Sequence, residues 1–270
     1  MVTVSQLFCY PFKSARGIAL DQTYVGERGL EFDRRWMAVD AGGRFLSQRT
    51  HSMLARIRVR LDLPSGHVVL SYAGMPDLAL PLTFSSPYRR NVVVWDDTMS
   101  ALVCGDEADR WMTQVAGETA SIVYFPNDSH RAVDTRYAHN QEHTAFADAF
   151  PVLVLSQASL DDLNSRLDLP LAMERFRPNV VVTGCRAYEE DTWSVCEVGS
   201  AELEMVKPCA RCVITTIDQD TLARSIEPLA TLSRYRQSPH NKTLFGQNAL
   251  VRRTGIIRVG DECRLPAHTD

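Results

Sequence analysis

This 270-residue chain contains no run of about 18 apolar residues, so no segment of it suits a membrane-spanning helix. Its first residues, Met1 to Pro11, carry neither a basic lead nor a long apolar stretch, which argues against a secretory signal. The expected compartment is the cytoplasm, with no membrane partner. A basic excess is also missing. The net charge is −4 and the pI is about 6.0, which disfavours a general nucleic-acid binder while leaving room for a local basic pocket that takes a small anion. The seven cysteines are odd in number and irregular in spacing, so a disulfide framework is not expected, and most should be small buried apolar residues. There is no G-x-S-x-G, no Walker loop, no G-x-G-x-x-G and no H-E-x-x-H. His139 and His143 are the one histidine pair at i,i+4 spacing. They fall in a polar stretch and are read as surface residues rather than as a metal site.

What the chain does have is a core and a strand-rich pattern. Hydrophobic residues make up 45% of it, and its length suits one large domain or two small ones. Short alternating or β-branched segments at 56–61, 67–72, 91–95, 179–183 and 202–206 are separated by turn residues, which points to a β-rich α+β fold with barrel or sandwich elements. Three helices are predicted. One runs from Gly105 to Gly117, with Asp106 as a candidate N-cap and Gly117 as its stop. The second runs from Leu155 to Leu167, with Ser159 and Asp162 read as a capping box, and the third from Glu227 to Arg236. The polar stretch 127–141 reads as a long loop able to cover a site, and as a plausible boundary between two regions.

The densest chemistry lies in Lys207-Pro208-Cys209-Ala210-Arg211-Cys212. Two thiols flank an arginine, and the cation favours thiolate over thiol. A thiolate is a ligand for a soft metal and a nucleophile. The β-branched run from Val213 to Ile217 predicts a strand just after it. One C-x-x-C without a second pair is weak support for structural zinc, which needs four ligands. Elsewhere, Lys13 and Ser14 at a strand exit could bind a phosphate, or form an ordinary turn. Asp33 could orient a neighbouring arginine so that the guanidinium grips an anion, or form a plain surface pair. Arg177 is restrained by Pro178, and Asn179 carries both donors and acceptors. Together they could read the edge of a polar heterocycle, or merely open a strand. Asp148, among small and apolar residues, needs a partner or water. It could accept from a bound ligand or cap a loop.

Taken in order, Tyr10-Pro11-Phe12-Lys13-Ser14, Asp33-Arg34-Arg35-Trp36, Phe146-Ala147-Asp148-Ala149-Phe150-Pro151, Leu155 to Leu160, Arg175-Phe176-Arg177-Pro178-Asn179, Cys209-Ala210-Arg211-Cys212 and Leu244-Phe245-Gly246-Gln247 resemble the MOSC family. The branch is the one that carries an N-terminal MOSC-type β-barrel region, with amidoxime-reducing and YcbX-like members. The resemblance spans about Leu7 to Leu265. It implies a MOSC β-barrel core at 122–270 and a smaller N-terminal β-rich region at 1–121, whose residues 1–35 are able to pack with the core. It also implies a molybdenum cofactor: a pterin dithiolene with a phosphate tail. Cys212 matches the position that ligates molybdenum and is the expected catalytic cysteine, with Cys209 a packing residue. Lys13, Ser14 and Arg34 match positions at the phosphate end, and Arg177 and Asn179 positions beside the pterin. Asp148 matches a carboxylate near the cofactor, with a possible catalytic part, and Arg211 lies between the thiols. Because the dithiolene brings two sulfurs, one protein cysteine suffices.

The activity implied is reduction of N-hydroxylated compounds. Sulfur transfer through a persulfide on Cys212, and a non-catalytic cofactor carrier, are the alternatives. No iron–sulfur or pyridoxal phosphate site is expected. The four-cysteine ferredoxin domain and the membrane anchor of some relatives are not seen, so electrons are expected from a separate ferredoxin- or cytochrome-type protein.

Overall fold

The β-branched segments pair into four sheets. In the computed structural model, which describes residues 1–265, the largest sheet has eight strands in the order Cys263–Arg264, Val195–Val198, Ala201–Ala210, Leu244–Arg253, Val152–Ser156, Val180–Thr183, Thr3–Cys9 and Ile18–Leu20. Residues 266–270, which end the second expected region and include His268, lie outside the described span. Only Val152–Ser156 and Val180–Thr183 run parallel within this sheet; the other neighbours are antiparallel. These two strands are continuously apolar up to Leu155 and Val182, as suits strands covered on both faces. The first two strands of the chain, Thr3–Cys9 and Ile18–Leu20, thus belong to a sheet otherwise built from residues 152–264.

A four-stranded sheet orders Trp36–Asp40, Ala120–Tyr124, Asp97–Val103 and Arg89–Val94. Arg58–Asp62, His67–Ser71 and Leu78–Pro81 form a meander, and Gly255–Arg258, Gln22–Gly26 and Gly29–Leu30 a third small sheet. One core joins the meander to Trp36, Trp111 and Ile122. Another lies on the eight-stranded sheet around Leu7, Val154 and Leu203. The fold is β-rich α+β. Among the described residues, no helix is long and apolar enough to cross a membrane.

Several predicted details change. The helix α1 spans Asp106–Ala116, ended by Gly117 at φ 75, but its N-cap is Gly105, and Asp106 is already helical. The helix α2 spans Gln157–Asn164 and is capped by Ser156, whose hydroxyl accepts from the Ser159 amide at 3.0 Å. The expected Ser159–Asp162 box therefore sits inside the helix. The third helix shrinks to Leu229–Ser233.

No strand follows Cys212. Val213–Thr216 is a 3₁₀ turn, because the hydroxyls of Thr215 and Thr216 donate back to the carbonyls of Cys212 at 2.9 Å and Val213 at 2.8 Å. The short strands Val195–Val198 and Cys263–Arg264 pair and carry a disulfide between Cys196 and Cys263, with 5.8 Å between the Cα atoms. These two cysteines depart from the expected free apolar role. Cys9, Cys104, Cys185, Cys209 and Cys212 are free.

Candidate functional site

Seven stretches of chain, at 13–14, 34, 47–49, 147–153, 175–179, 207–215 and 248, wall one cleft of about 250 Å³. All eight residues singled out from the sequence line it: Lys13, Ser14, Arg34, Asp148, Arg177, Asn179, Arg211 and Cys212.

The first wall follows Thr3–Cys9. Tyr10, fully buried, turns the chain toward Lys13 and Ser14. The Asp33-Arg34 segment lies against it, with Arg34 N donating to Tyr10 O at 2.9 Å and Tyr10 N to Asp33 Oδ1 at 2.8 Å. Asp33 also pairs with the guanidinium of Arg34. Burial opposes the charge on Arg34, but Asp33 outweighs it and holds the guanidinium above its ordinary pKa. Arg34 and Arg177 both stack on the Tyr10 ring, at 4.4 and 4.3 Å. Gly17 leaves the ring its room, since a Cβ there would meet it at 2.4 Å.

Asn179 ties these pieces together. Its amide donates to Phe8 O and Asp33 Oδ1, both at 3.2 Å, and its oxygen accepts from Leu153 N at 3.1 Å and Arg34 Nη1 at 3.2 Å. With 1% exposure and every donor and acceptor in use, the Asn179 side chain holds Arg34 in place rather than reaching into the cleft.

Lys13 is buried. Its ammonium donates to Phe146 O and to Asp148 Oδ1, both at 2.7 Å. Burial is the largest influence and pulls its pKa down to about 8, against the opposing pull of Asp148. The Asp148 carboxylate is 59% exposed in the open cleft. Its recessed position works against ionisation, but Lys13, Arg49 and Arg34 outweigh that and hold it well below the ordinary carboxylate range. Arg177 donates to Ala15 O at 2.6 Å and, among the described residues, has no carboxylate partner. Burial and the adjacent Arg34 lower its pKa to about 10.

The last wall is the end of Ala201–Ala210. Lys207, Pro208 and Cys209 are still in the strand, and Arg211 N donates to Thr243 O at 2.8 Å. Arg211 Nη1 donates to Cys209 Sγ at 3.1 Å, and its Nη2 to Phe176 O. It therefore serves the first thiol. The second thiol, Cys212, accepts from Arg49 Nη2 at 3.1 Å.

The sequence reading missed Arg49. It stands 163 residues from Cys212, with no motif of its own. Also missed was Arg131, a buried clamp that donates to Asp97 at 2.8 Å, to Ala145 O, Ala147 O and Asp148 O, and so fixes the segment carrying Asp148. Arg131 comes from the 127–141 stretch expected to cover a site. None of that stretch lines the cleft; it acts from behind, through this clamp. The His143 ring lies against His130, 4.9 Å between centroids. Burial, Arg28 and His130 lower its pKa.

Five arginines and two lysines line the cleft against one lining carboxylate, Asp148, in a chain whose net charge is negative. Buried, underpaired cations suit an anionic ligand. Among the described residues no three His, Cys, Asp or Glu side chains gather as a metal cage. A metal held at Cys212 would need its remaining ligands from a bound group. The donor set fits a phosphate-bearing, sulfur-donating cofactor.

Two family models match the chain: the MOSC N-terminal beta barrel domain over residues 1–119 and the MOSC domain over residues 141–264. Mitochondrial amidoxime reducing component 2 of Rattus norvegicus is 34% identical over 96% of this chain and 82% of that protein. Mitochondrial amidoxime-reducing component 1 of Danio rerio is 34% identical over 96% of this chain and 83% of that protein. Among solved structures, the YUAD protein of Bacillus subtilis aligns over 97% of this chain and 93% of its own, at 12% identity and a TM-score of 0.41.

Proposed function

The chain belongs to the MOSC family, beside the amidoxime-reducing components, and on that footing we propose that it reduces N-hydroxylated compounds with a molybdenum cofactor held in the cationic cleft. The observation that carries the reading is a free thiol, Cys212, in a cleft lined by seven cations, of which Arg49, Arg177, Lys207 and Arg211 form no salt bridge with a carboxylate among the described residues. When bound, the cofactor would supply the two-electron redox chemistry for cleaving the N–O bond. Cys212 would ligate its metal. Lys13, Arg34 and Arg177 would neutralise the phosphate end, the Ser14 hydroxyl would donate a hydrogen bond to it, and Arg211 would flank the metal end beside Cys209.

Reduction of an N–OH group to N–H uses two electrons and two protons and releases water. The Lys13 ammonium, 2.7 Å from Asp148 Oδ1, helps to hold that carboxylate ionised. Asp148, held ionised and open to the cleft, accepts from the N–H groups of an amidoxime or hydroxylamine. The electrons come from a separate redox protein.

The test is metal and pterin analysis of the protein and its Cys212→Ala and Cys209→Ser variants, made in a molybdenum-replete, cofactor-competent host. Near-stoichiometric molybdenum in wild type and Cys209→Ser, lost in Cys212→Ala, is expected. It should come with turnover of an amidoxime by the wild type when a reduced donor is supplied. Absence of molybdenum from the wild type would overturn the reading. A persulfide on Cys212 in its place would assign sulfur transfer, and bound pterin without turnover would assign a carrier.

A further inference from the structure

The two cysteines of the C-x-x-C segment do not share one arginine. Arg211, the cation between them in sequence, has its Nη1 on Cys209 Sγ at 3.1 Å and its Nη2 on Phe176 O. Its guanidinium is therefore engaged away from Cys212. The Cys212 sulfur receives a hydrogen bond from Arg49 Nη2, also at 3.1 Å.

Arg49 is held at its guanidinium and at its backbone. Its guanidinium lies over the indole of Trp95, 4.5 Å from the ring centroid. The Trp95 ring is itself held edge-on by Phe45 at 5.0 Å. The backbone of Arg49 is pinned by Arg224, whose Nη2 donates to Arg49 O at 2.9 Å. Trp95 stands at φ 57 in the two-residue turn between Arg89–Val94 and Asp97–Val103, and this hairpin tip sets the indole against the Arg49 guanidinium. Among the described residues Arg49 forms no ion pair with any carboxylate. Asp148 senses its charge without pairing with it. A half-buried guanidinium with an aromatic plate behind it and a sulfur in front is unusual as a structural strut, because a strut would normally end on an oxygen.

We infer that Arg49, plated against Trp95, is the positioning residue of the Cys212 sulfur, and that Arg211 plays this part for Cys209 alone. The assignment makes the N-terminal half of the chain a partner in the C-x-x-C site of the other half. It concerns the sulfur itself and stands whether that sulfur ligates a metal or carries a persulfide.

The test reads local charge at the sulfur. The full-length chain is made in a host unable to synthesise molybdenum cofactor, and is alkylated with iodoacetate or with iodoacetamide. In both reactions the sulfur bonds the methylene carbon and iodide leaves, but only iodoacetate carries a negative charge toward the site. Peptide mass mapping separates Cys212 from the other thiols. The ratio of the iodoacetate rate to the iodoacetamide rate at Cys212 should fall about fivefold in Arg49→Met, the effect of one cation at contact distance in a partly hydrated site. Arg49→Lys should retain more than half of the wild-type ratio. Trp95→Ala should lower the ratio by a smaller factor, because the guanidinium loses its plate. Arg211→Met should lower the ratio at Cys209 and leave it at Cys212.

An unchanged Cys212 ratio in Arg49→Met and in Trp95→Ala would overturn the assignment. So would a loss at Cys212 caused by Arg211→Met. Arg49→Gln replaces Arg49→Met if methionine there prevents folding. Protein from a cofactor-competent host gives a separate answer: protection of Cys212 from both reagents supports ligation. Full reactivity there counts against the proposed function and leaves the Arg49 assignment as the ratios decide it.

Discussion

Lys13 shows how a single residue carries the electrostatics of the cleft. Its ammonium is buried against Phe146 O and Asp148, and its pKa falls from 10.5 to about 8. The sign of the consequence follows from proton counting. Between about pH 8 and 10.5 the unfolded chain holds the Lys13 proton while the folded chain has released it. Stability therefore rises with pH across that window for this group, and the full cost of the buried charge is felt below pH 8. That cost is on the order of 3 kcal/mol. Denaturant unfolding of wild type and Lys13→Met between pH 7.5 and 10.5 should show the wild type gaining stability relative to the variant as pH rises. A flat or falling difference would refute the burial argument. Arg177, lowered to about 10 by burial and by Arg34, belongs to the same strained set. That Lys13, Arg34, Arg177 and Cys212 gather in one cleft was legible from residue type and family pattern. The place of Arg49 was not, since a contact across 163 residues depends on how the two halves meet. Arg211 was legible as a cation beside sulfur, but its choice of Cys209 is decided by rotamer and by Phe176 O.

Among the elements, turns decide where the site residues stand, and two glycines separate the ways a turn can fail. Gly117 ends α1 at φ 75, and a Cβ there would meet nothing within 4 Å. Gly29 stands at φ 96, and a Cβ there would lie 2.3 Å from Pro151 O. Pro151 closes the Phe146–Pro151 segment that presents Asp148. Gly117→Ala should therefore cost about 1 kcal/mol, the penalty of the left-handed backbone alone. Gly29→Ala should cost more than ~3 kcal/mol and lower cofactor retention as well, because backbone must move beside Asp148. Thermal unfolding with molybdenum content checks both, and equal losses would sink the argument. The same level shows why some elements were misread. The run Val213 to Ile217 looks like a strand by composition, but two threonine hydroxyls returning to the carbonyls behind them close a turn instead. In α2 the neighbouring Ser156 and Ser159 are both able to cap. The chain uses the first, while Ser159 donates to the buried Glu190. Alternation predicted the strands well because burial on one face imposes it, whereas caps and short helices turn on single hydrogen bonds.

At the scale of the whole molecule, charge is sorted rather than balanced. The chain has a net charge of −4, yet its cleft gathers seven cations around one lining carboxylate. Such a concentration focuses field into a low-dielectric recess and draws small anions against the sign of the protein as a whole. It also means that the folded chain holds like charges together until an anion arrives. Binding of a phosphate group to the folded state alone should then raise stability by mass action. At tenfold excess over its dissociation constant, inorganic phosphate should contribute about 1.4 kcal/mol. That corresponds to a rise of roughly 3 °C in the Tm of cofactor-free protein of this size. Chloride at matched ionic strength should give little of it, since screening acts on exposed charges and not on buried ones. The Lys13→Met/Arg177→Met double variant should start from a Tm closer to that of phosphate-treated wild type and respond to phosphate weakly. If phosphate and chloride move the Tm of the wild type equally, the cations of the cleft are already satisfied within the fold. The reason for placing an anionic cofactor tail among Lys13, Arg34 and Arg177 would then be gone.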